Sequence, residues 1–75
     1  MPKLPVVSGN ETISALKRGG FVRDRQSGSH VTLRHHERRR SATIPAGSAD
    51  LPPGTLRAIL RQAGLTVEEF IRLLR

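Results

Sequence analysis

The chain has no cysteine, no tryptophan, no tyrosine and only 2 phenylalanines among its 75 residues. Without cysteine it has neither a disulfide framework nor a Cys-based zinc site, so its stability depends on packing alone. No metal or other cofactor is expected, because His35 and His36 are adjacent and would face opposite ways in a strand. The shortage of aromatic rings argues against a single-strand binder that stacks bases on exposed rings.

A long apolar segment is also lacking. The longest uncharged apolar run is Leu-Pro-Val-Val at residues 4–7, far too short for a signal-peptide core or a membrane span. We therefore expect a cytoplasmic protein that does not insert into a membrane. We also expect residues 1–75 to form a single domain with a small core, because so short a chain buries only about 60% of the surface that it exposes when unfolded.

Positive charge is abundant. Thirteen Lys and Arg residues against 6 Asp and Glu give a formal charge of +7, with a pI near 11.8. Such an excess indicates a polyanionic partner, which is a nucleic acid, an anionic membrane surface or an acidic protein. The apolar residues, 36% of the chain, occur in patterned segments between turn signals, which indicates a folded basic domain.

Capping patterns predict three helices. Residues 8–11 read Ser-Gly-Asn-Glu, the capping-box spacing, which predicts a first helix over about residues 9–18 ended by two glycines. A second helix is predicted to start at Pro53 and end at Gly64, with apolar residues at helical spacing between them. The same capping spacing recurs as Thr-Val-Glu-Glu at residues 66–69 and predicts a short last helix that runs to the C-terminus.

Between the first two helices, alternation of apolar and polar residues predicts three short antiparallel strands. In the second strand, Val31 and Leu33 would face the core, and His30, Thr32 and Arg34 the other side. The predicted segments are strands over residues 21–25, 30–35 and 40–44, turns over 26–29 and 36–38, and a loop over 46–52.

The predicted fold class is therefore α+β, with the order helix, three antiparallel strands, two helices. This order packs the helices on one face of the sheet, where both C-terminal helices would cover it, and leaves the other face open. A helix-turn-helix through Ala63-Gly64-Leu65 is a competing interpretation. It is disfavoured because the N-terminal end of its recognition helix would carry Glu68 and Glu69, so direct sequence-specific DNA binding is not expected.

His30 is the candidate catalytic residue. It follows a Gly-Ser pair where a turn becomes a strand, and its imidazole can exchange a proton near neutral pH, as attack of an RNA 2′-OH on its own phosphodiester requires. Gly28 would let a phosphate approach the backbone, and the Ser29 hydroxyl would hold it. From the spacing alone, a surface histidine beside a hairpin turn is the favoured interpretation.

Arginines are concentrated around the predicted hairpins, and their bidentate geometry suits phosphate groups. Individually they fit either phosphate binding or ordinary solvated turn charges, but together their excess favours binding. Arg57 and Arg61 on the second helix form either a second phosphate-binding stripe or its solvent face. The candidate RNA-binding arginines are Arg25, Arg34, Arg38, Arg39 and Arg40.

Taken together, these motifs resemble the HicA toxins, the small toxin halves of bacterial and archaeal type II toxin–antitoxin pairs. The resemblance covers almost the whole chain in the family's order, and the Gly-Ser-His and Gly-Thr-Leu-Arg-x-Ile-Leu elements make it specific. It is carried by Lys3-Leu4-Pro5, the capped first helix followed by Gly-Gly-Phe at 19–21, Gly28-Ser29-His30, Arg34-His35, Thr43-Ile44-Pro45, residues 54–65 and Glu68-Glu69-Phe70.

The resemblance implies a fold similar to double-stranded RNA-binding domains, α-β-β-β-α with a short extra helix. It further implies ribosome-independent mRNA cleavage centred on one histidine, here His30, and neutralisation by a HicB-type acidic antitoxin. Many family members carry a second histidine two residues after the proline that ends the third strand, whereas here Ala46 and Gly47 follow Pro45. A second proton-transfer group is therefore not identified, and a non-catalytic RNA-binding module of the same fold is the alternative.

Overall fold

The computed structural model describes residues 3–75 as three helices and one three-stranded antiparallel sheet, in the strand order β1-β2-β3. This arrangement is the predicted α+β class and is compatible with the double-stranded RNA-binding-domain-like fold. None of the helices within residues 3–75 is long and apolar enough to cross a membrane. The elements are α1 Gly9–Arg18, β1 Val22–Ser27, β2 His30–His35, β3 Arg40–Pro45, α2 Pro53–Ala63 and α3 Val67–Leu73.

Both predicted capping boxes are present. The Ser8 N–H donates to Glu11 Oε1 at 2.8 Å while the Glu11 N–H donates to Ser8 Oγ at 3.1 Å. Thr66 and Glu69 make the same pair of bonds at the start of α3, at 2.8 and 3.1 Å. The bonds from Thr66, with smaller help from the nearby charges of Arg38 and Arg72, lower the pKa of Glu69 below its ordinary value.

Strand β1 differs from its prediction. It runs over Val22–Ser27, so the observed turn is only Gly28-Ser29 and residues 26 and 27 belong to the strand. A β-bulge between Arg23 and Arg25 shifts the register by one residue, so that Ser27 pairs with His30 and the turn shortens to two residues. All six residues of β1 are exposed, so this edge of the sheet extends beyond the cover of the helices.

The core lies in two clusters. The first joins the sheet to α1 and α2, and the buried strand residues in it are those predicted to face inward. Phe21, placed in the first strand by the prediction, is instead a buried residue just before β1. The first cluster contains Leu16, Phe21, Val31, Leu33, Ala42, Ile44, Ile59 and Ala63.

The second cluster contains no strand residue and explains where α3 lies. Phe70 of α3 is fully buried with Ala15 of α1 and Leu56 and Leu60 of α2, so α3 covers the other two helices. The prediction that both C-terminal helices cover the sheet therefore holds for α2 and not for α3. The apolar stripe of α3 is the same in either arrangement, and only the tertiary fold determines what it covers.

Candidate active site on the open sheet face

His30 is the first residue of β2, and its side chain is exposed. Since Val31 and Leu33 are buried beneath the helices, His30, Thr32 and Arg34 lie on the opposite, open face of the sheet, as predicted. The register places Ser27 of β1 on one side of His30 and Pro45 of β3 on the other. The candidate histidine thus lies on the central strand of the sheet, at the first position of that strand.

A two-residue turn, Gly28-Ser29, leads into His30. Gly28 has φ 59° whereas Ser29 is not in the positive-φ region, the pattern of a type II′ hairpin turn with glycine first. The carbonyl of Gly28 accepts a hydrogen bond from Gln26 Nε2 at 3.0 Å, and Gln26 Oε1 accepts one from Arg23 Nη1 at 3.2 Å. Arg23 and Gln26 share a face because of the β-bulge, so the bulge helps to fix the turn.

The segment after β3 borders the turn on its other side. The Ala46 N–H donates to the Ser29 carbonyl at 2.6 Å, and Gly47 exchanges hydrogen bonds with Asn10 of α1. The start of α1 is packed directly against this segment, because a Cβ at Gly9 would overlap the Pro45 carbonyl. The carbonyl of the peptide bond before His30 is therefore held by a segment remote in sequence.

Arg25 and Arg34 share the open face with His30. Arg25 is the register partner of Thr32, which lies two residues after His30, so Arg25 and His30 are diagonal neighbours about 7–8 Å apart. The hydroxyls of Thr32 and its partner Thr43 are 3.1 Å apart at the centre of this face. A histidine, two guanidinium groups and two hydroxyls therefore lie on one exposed surface, which we call the His30 face.

Arg38, Arg39 and Arg40 do not join this group. They lie at the opposite end of the hairpin, about 17 Å along β2 from His30. Arg38 Nη2 donates to the Gly64 carbonyl at 3.4 Å, and a Cβ at Gly64 would lie 3.0 Å from Arg40 Nε. These two side chains thus contact the C-terminal end of α2, while Arg39 occupies the turn with φ 54°. The candidate arginines form two separate groups.

The two remaining histidines also lie at that far end. His35 Nδ1 accepts a hydrogen bond from the Arg38 N–H at 3.2 Å, and its ring packs edge-on against Phe21 with ring centroids 5.2 Å apart. His36 is exposed in the β2–β3 turn. Neither lies beside His30. Within residues 3–75, no group of three or more His, Asp and Glu side chains has the arrangement needed to hold a metal ion.

The second arginine stripe of the prediction is located on α2. Arg57 and Arg61 are both exposed on that helix. Arg57 lines a cleft of about 670 Å³ between residues 3–6 and the segment that leads into α2. This cleft is separate from the residues around His30.

Sequence reasoning missed Asn10 and Gln26. Asn10 bonds to a residue 37 positions away, and nothing in the local sequence signals that contact. Gln26 was assigned to a turn as an ordinary polar residue, whereas in the structure it is the strand residue that holds the turn.

A comparison with protein families shows which family the chain is similar to. Residues 9–65 match the family model described as the HicA toxin of bacterial toxin–antitoxin systems. The match includes α1, the whole sheet, α2 and every residue around His30 described above. No curated protein matches the chain at a significant level.

Proposed function

Because the chain belongs to the HicA toxin family of bacterial toxin–antitoxin systems, we propose that it is a ribosome-independent mRNA endoribonuclease with His30 as its acid/base residue. As a toxin of such a system, it has an antitoxin as its partner. The proposal places the protein in the cytoplasm, where its mRNA substrate is found. The observation that carries it is one exposed histidine on an open, cationic sheet face, at a turn fixed by hydrogen bonds.

Cleavage proceeds by internal transfer in this proposal. The neutral imidazole of His30 takes the proton of an RNA 2′-OH while the 2′-oxygen forms a bond to the adjacent phosphorus. The bond from phosphorus to the 5′-oxygen then breaks, leaving a 2′,3′-cyclic phosphate and a 5′-hydroxyl. Water supplies the proton of the 5′-oxygen, because His35 and His36 lie at the other end of β2. The imidazolium returns its proton to solvent.

The groups around His30 bind the substrate. Arg25, the nearer guanidinium, neutralises the phosphate that is attacked and stabilises the negative charge of the phosphorane. Arg34 contacts a neighbouring phosphate farther along the His30 face. The space beside Gly28 is open, because a Cβ there would meet nothing within 4 Å, so the RNA backbone can approach the turn. The Ser29 hydroxyl donates to a phosphate oxygen.

The three arginines at the hairpin tip extend the cationic surface. Arg39 is free of the contacts that Arg38 and Arg40 make with Gly64, so it is the one best able to reach an RNA phosphate. Arg38 and Arg40 add to the field that attracts the RNA while also holding the tip against α2. Their removal should weaken RNA association less than the removal of Arg25.

The antitoxin in this proposal is an acidic protein of the HicB type that covers the His30 face. Only 6 Asp and Glu residues offset 13 Lys and Arg residues, and Glu11 and Glu69 are both used in capping boxes. Complementary charge on the partner therefore favours fast association and blocks RNA at the same surface.

Expression without an antitoxin tests the proposal. We expect growth arrest and loss of mRNA with the wild-type chain and with the control His36→Ala, which removes an exposed histidine from the far turn. We expect neither with His30→Ala. Because His30 is also exposed, its removal should leave the fold intact, and a thermal melt of the purified variant checks this. Growth arrest and RNA decay that persist with His30→Ala would overturn the catalytic assignment.

The second candidate is a non-catalytic RNA-binding module. The observation in its favour is Gly47, which stands where many family members carry a second histidine. A module of this kind would bind RNA and leave it intact, so the wild-type protein would protect a bound RNA without producing new ends.

A further inference from the structure

Asn10 connects α1 to the segment that borders His30. The Asn10 N–H donates to the Gly47 carbonyl at 3.0 Å, and the Gly47 N–H donates back to Asn10 Oδ1 at 2.9 Å. The two bonds form a closed pair between residues that are remote in sequence. Only one of them depends on the Asn10 side chain, so a substitution can remove it without touching the other.

Gly47 lies in the segment that follows β3. Its φ is 137°, a conformation that favours glycine, and a Cβ there would meet nothing within 4 Å. Side-chain packing therefore does not hold Gly47. Its two hydrogen bonds to Asn10 are what fix it in place, and removing the side-chain bond frees the peptide between Ala46 and Gly47.

The next bond in the chain reaches the turn that carries His30. The Ala46 N–H donates to the Ser29 carbonyl at 2.6 Å, and Ser29 is bonded covalently to His30. Pro45, the residue before Ala46, is the register partner of His30. Both neighbours of the histidine are thus linked to Gly47, which Asn10 holds. Pro45, across the sheet, lies two residues before Gly47, and Ser29, along the chain, is hydrogen-bonded to Ala46.

We propose that Asn10 is a positioning residue for His30, acting through Gly47, Ala46 and the Ser29 carbonyl. The inference rests on the proposed nuclease function. Asn10 need not touch the RNA. Its side chain keeps the Ala46 N–H aligned with Ser29, which fixes the direction in which β2 begins and so the position of the imidazole relative to the bound phosphodiester.

Three variants of the full chain test this role. Asn10→Ala removes the acceptor for the Gly47 N–H, and Asn10→Asp keeps an oxygen acceptor at the same place. Ser14→Ala is the matched control, an exposed polar residue one turn along the same helix. Initial rates of cleavage of a labelled RNA give kcat and KM, and amide hydrogen exchange reports on the Ala46 N–H.

For Asn10→Ala we expect kcat to fall on the order of tenfold with KM within about twofold of wild type, because misplacement of a catalytic group affects the reaction step. Exchange at Ala46 should accelerate. Asn10→Asp should restore kcat, while its added negative charge raises KM for RNA. Ser14→Ala should match wild type in kcat, KM and exchange.

Two results would overturn the proposal. One is an Asn10→Ala variant with the kcat of Ser14→Ala, and the other is an Asn10→Asp variant that loses as much kcat as Asn10→Ala. Failure of the proposed function itself looks different, because wild-type protein would then cleave no faster than His30→Ala. In that case faster exchange at Ala46 in Asn10→Ala would still show the structural link. The absence of cleavage would refute the catalytic role of that link.

Discussion

The substitution Gly9→Ala should destabilise the protein although it places a better helix former in a helix. A Cβ at residue 9 would overlap the carbonyl oxygen of Pro45 and lie 2.9 Å from its carbonyl carbon. Both atoms are backbone, so no side-chain rotation relieves the clash. Overpacking of this kind costs about 1–3 kcal/mol, and the higher helix propensity of alanine returns about 0.5–1 kcal/mol. The expected net loss is about 1–2 kcal/mol.

Gly54→Ala is the matched control, because Gly54 is also in the first turn of a helix and a Cβ there meets nothing within 4 Å. Thermal unfolding by circular dichroism distinguishes the two. In a domain of this size the melting temperature changes by about 4–8 °C per kcal/mol, so Gly9→Ala should lose roughly 5–15 °C. Gly54→Ala should equal or exceed wild type. A Gly9→Ala protein as stable as Gly54→Ala would refute the close packing of α1 on the end of β3.

Two further predictions concern charge. Arg25→Ala and Arg34→Ala should each weaken RNA binding and reduce the slope of log affinity against log salt by about 1. The control Lys17→Ala, on the exposed side of α1, should do neither. Equal effects of all three substitutions would contradict a binding site on the His30 face. Since the bonds from Thr66 lower the pKa of Glu69 in the folded state, its carboxylate stabilises the fold at neutral pH, and this contribution is lost as the pH falls through that lowered pKa. The melting-temperature gap between wild type and Glu69→Gln should therefore be larger at pH 7 than at pH 3, and a gap independent of pH would count against the lowered pKa.

The local signals of the sequence were sufficient for most elements. The boundaries of α1 and β2 are as predicted, because a capping box and strict alternation are both local patterns. β1 was misjudged because a β-bulge depends on the partner strand, which has no local signature. The position of α3 was misjudged for a similar reason, since its apolar stripe fits a sheet or two helices equally well.

The candidate site shows the same division. The exposure of His30 and the face it shares with Arg34 follow from period-two alternation, which the sequence displays. The contact of Arg38 and Arg40 with Gly64 does not, because it depends on how α2 packs beside the turn between β2 and β3. Proximity along the chain had suggested one cationic cluster where the fold makes two.

Two of the arginines also bind the C-terminal ends of helices. Arg38 supplies a donor to a carbonyl at the end of α2, and Arg18 Nε donates to the Leu73 carbonyl at 2.6 Å at the end of α3. Cations at helix C-termini are stabilising because they complement the helix dipole. Part of the positive charge of this chain therefore serves the fold, whereas Arg25 and Arg34 on the His30 face are the charges that the proposed function assigns to RNA and the antitoxin.

The rate at which purified protein cuts a labelled RNA tests the central claim most directly. Wild-type protein should produce fragments that end in a 2′,3′-cyclic phosphate and begin with a 5′-hydroxyl. His30→Ala should cut at least about 100-fold more slowly, the usual worth of a general acid/base residue, with wild-type RNA affinity and melting temperature. A His30→Ala protein that cuts within a few fold of the wild-type rate would contradict the assignment of His30 as the residue that moves the proton.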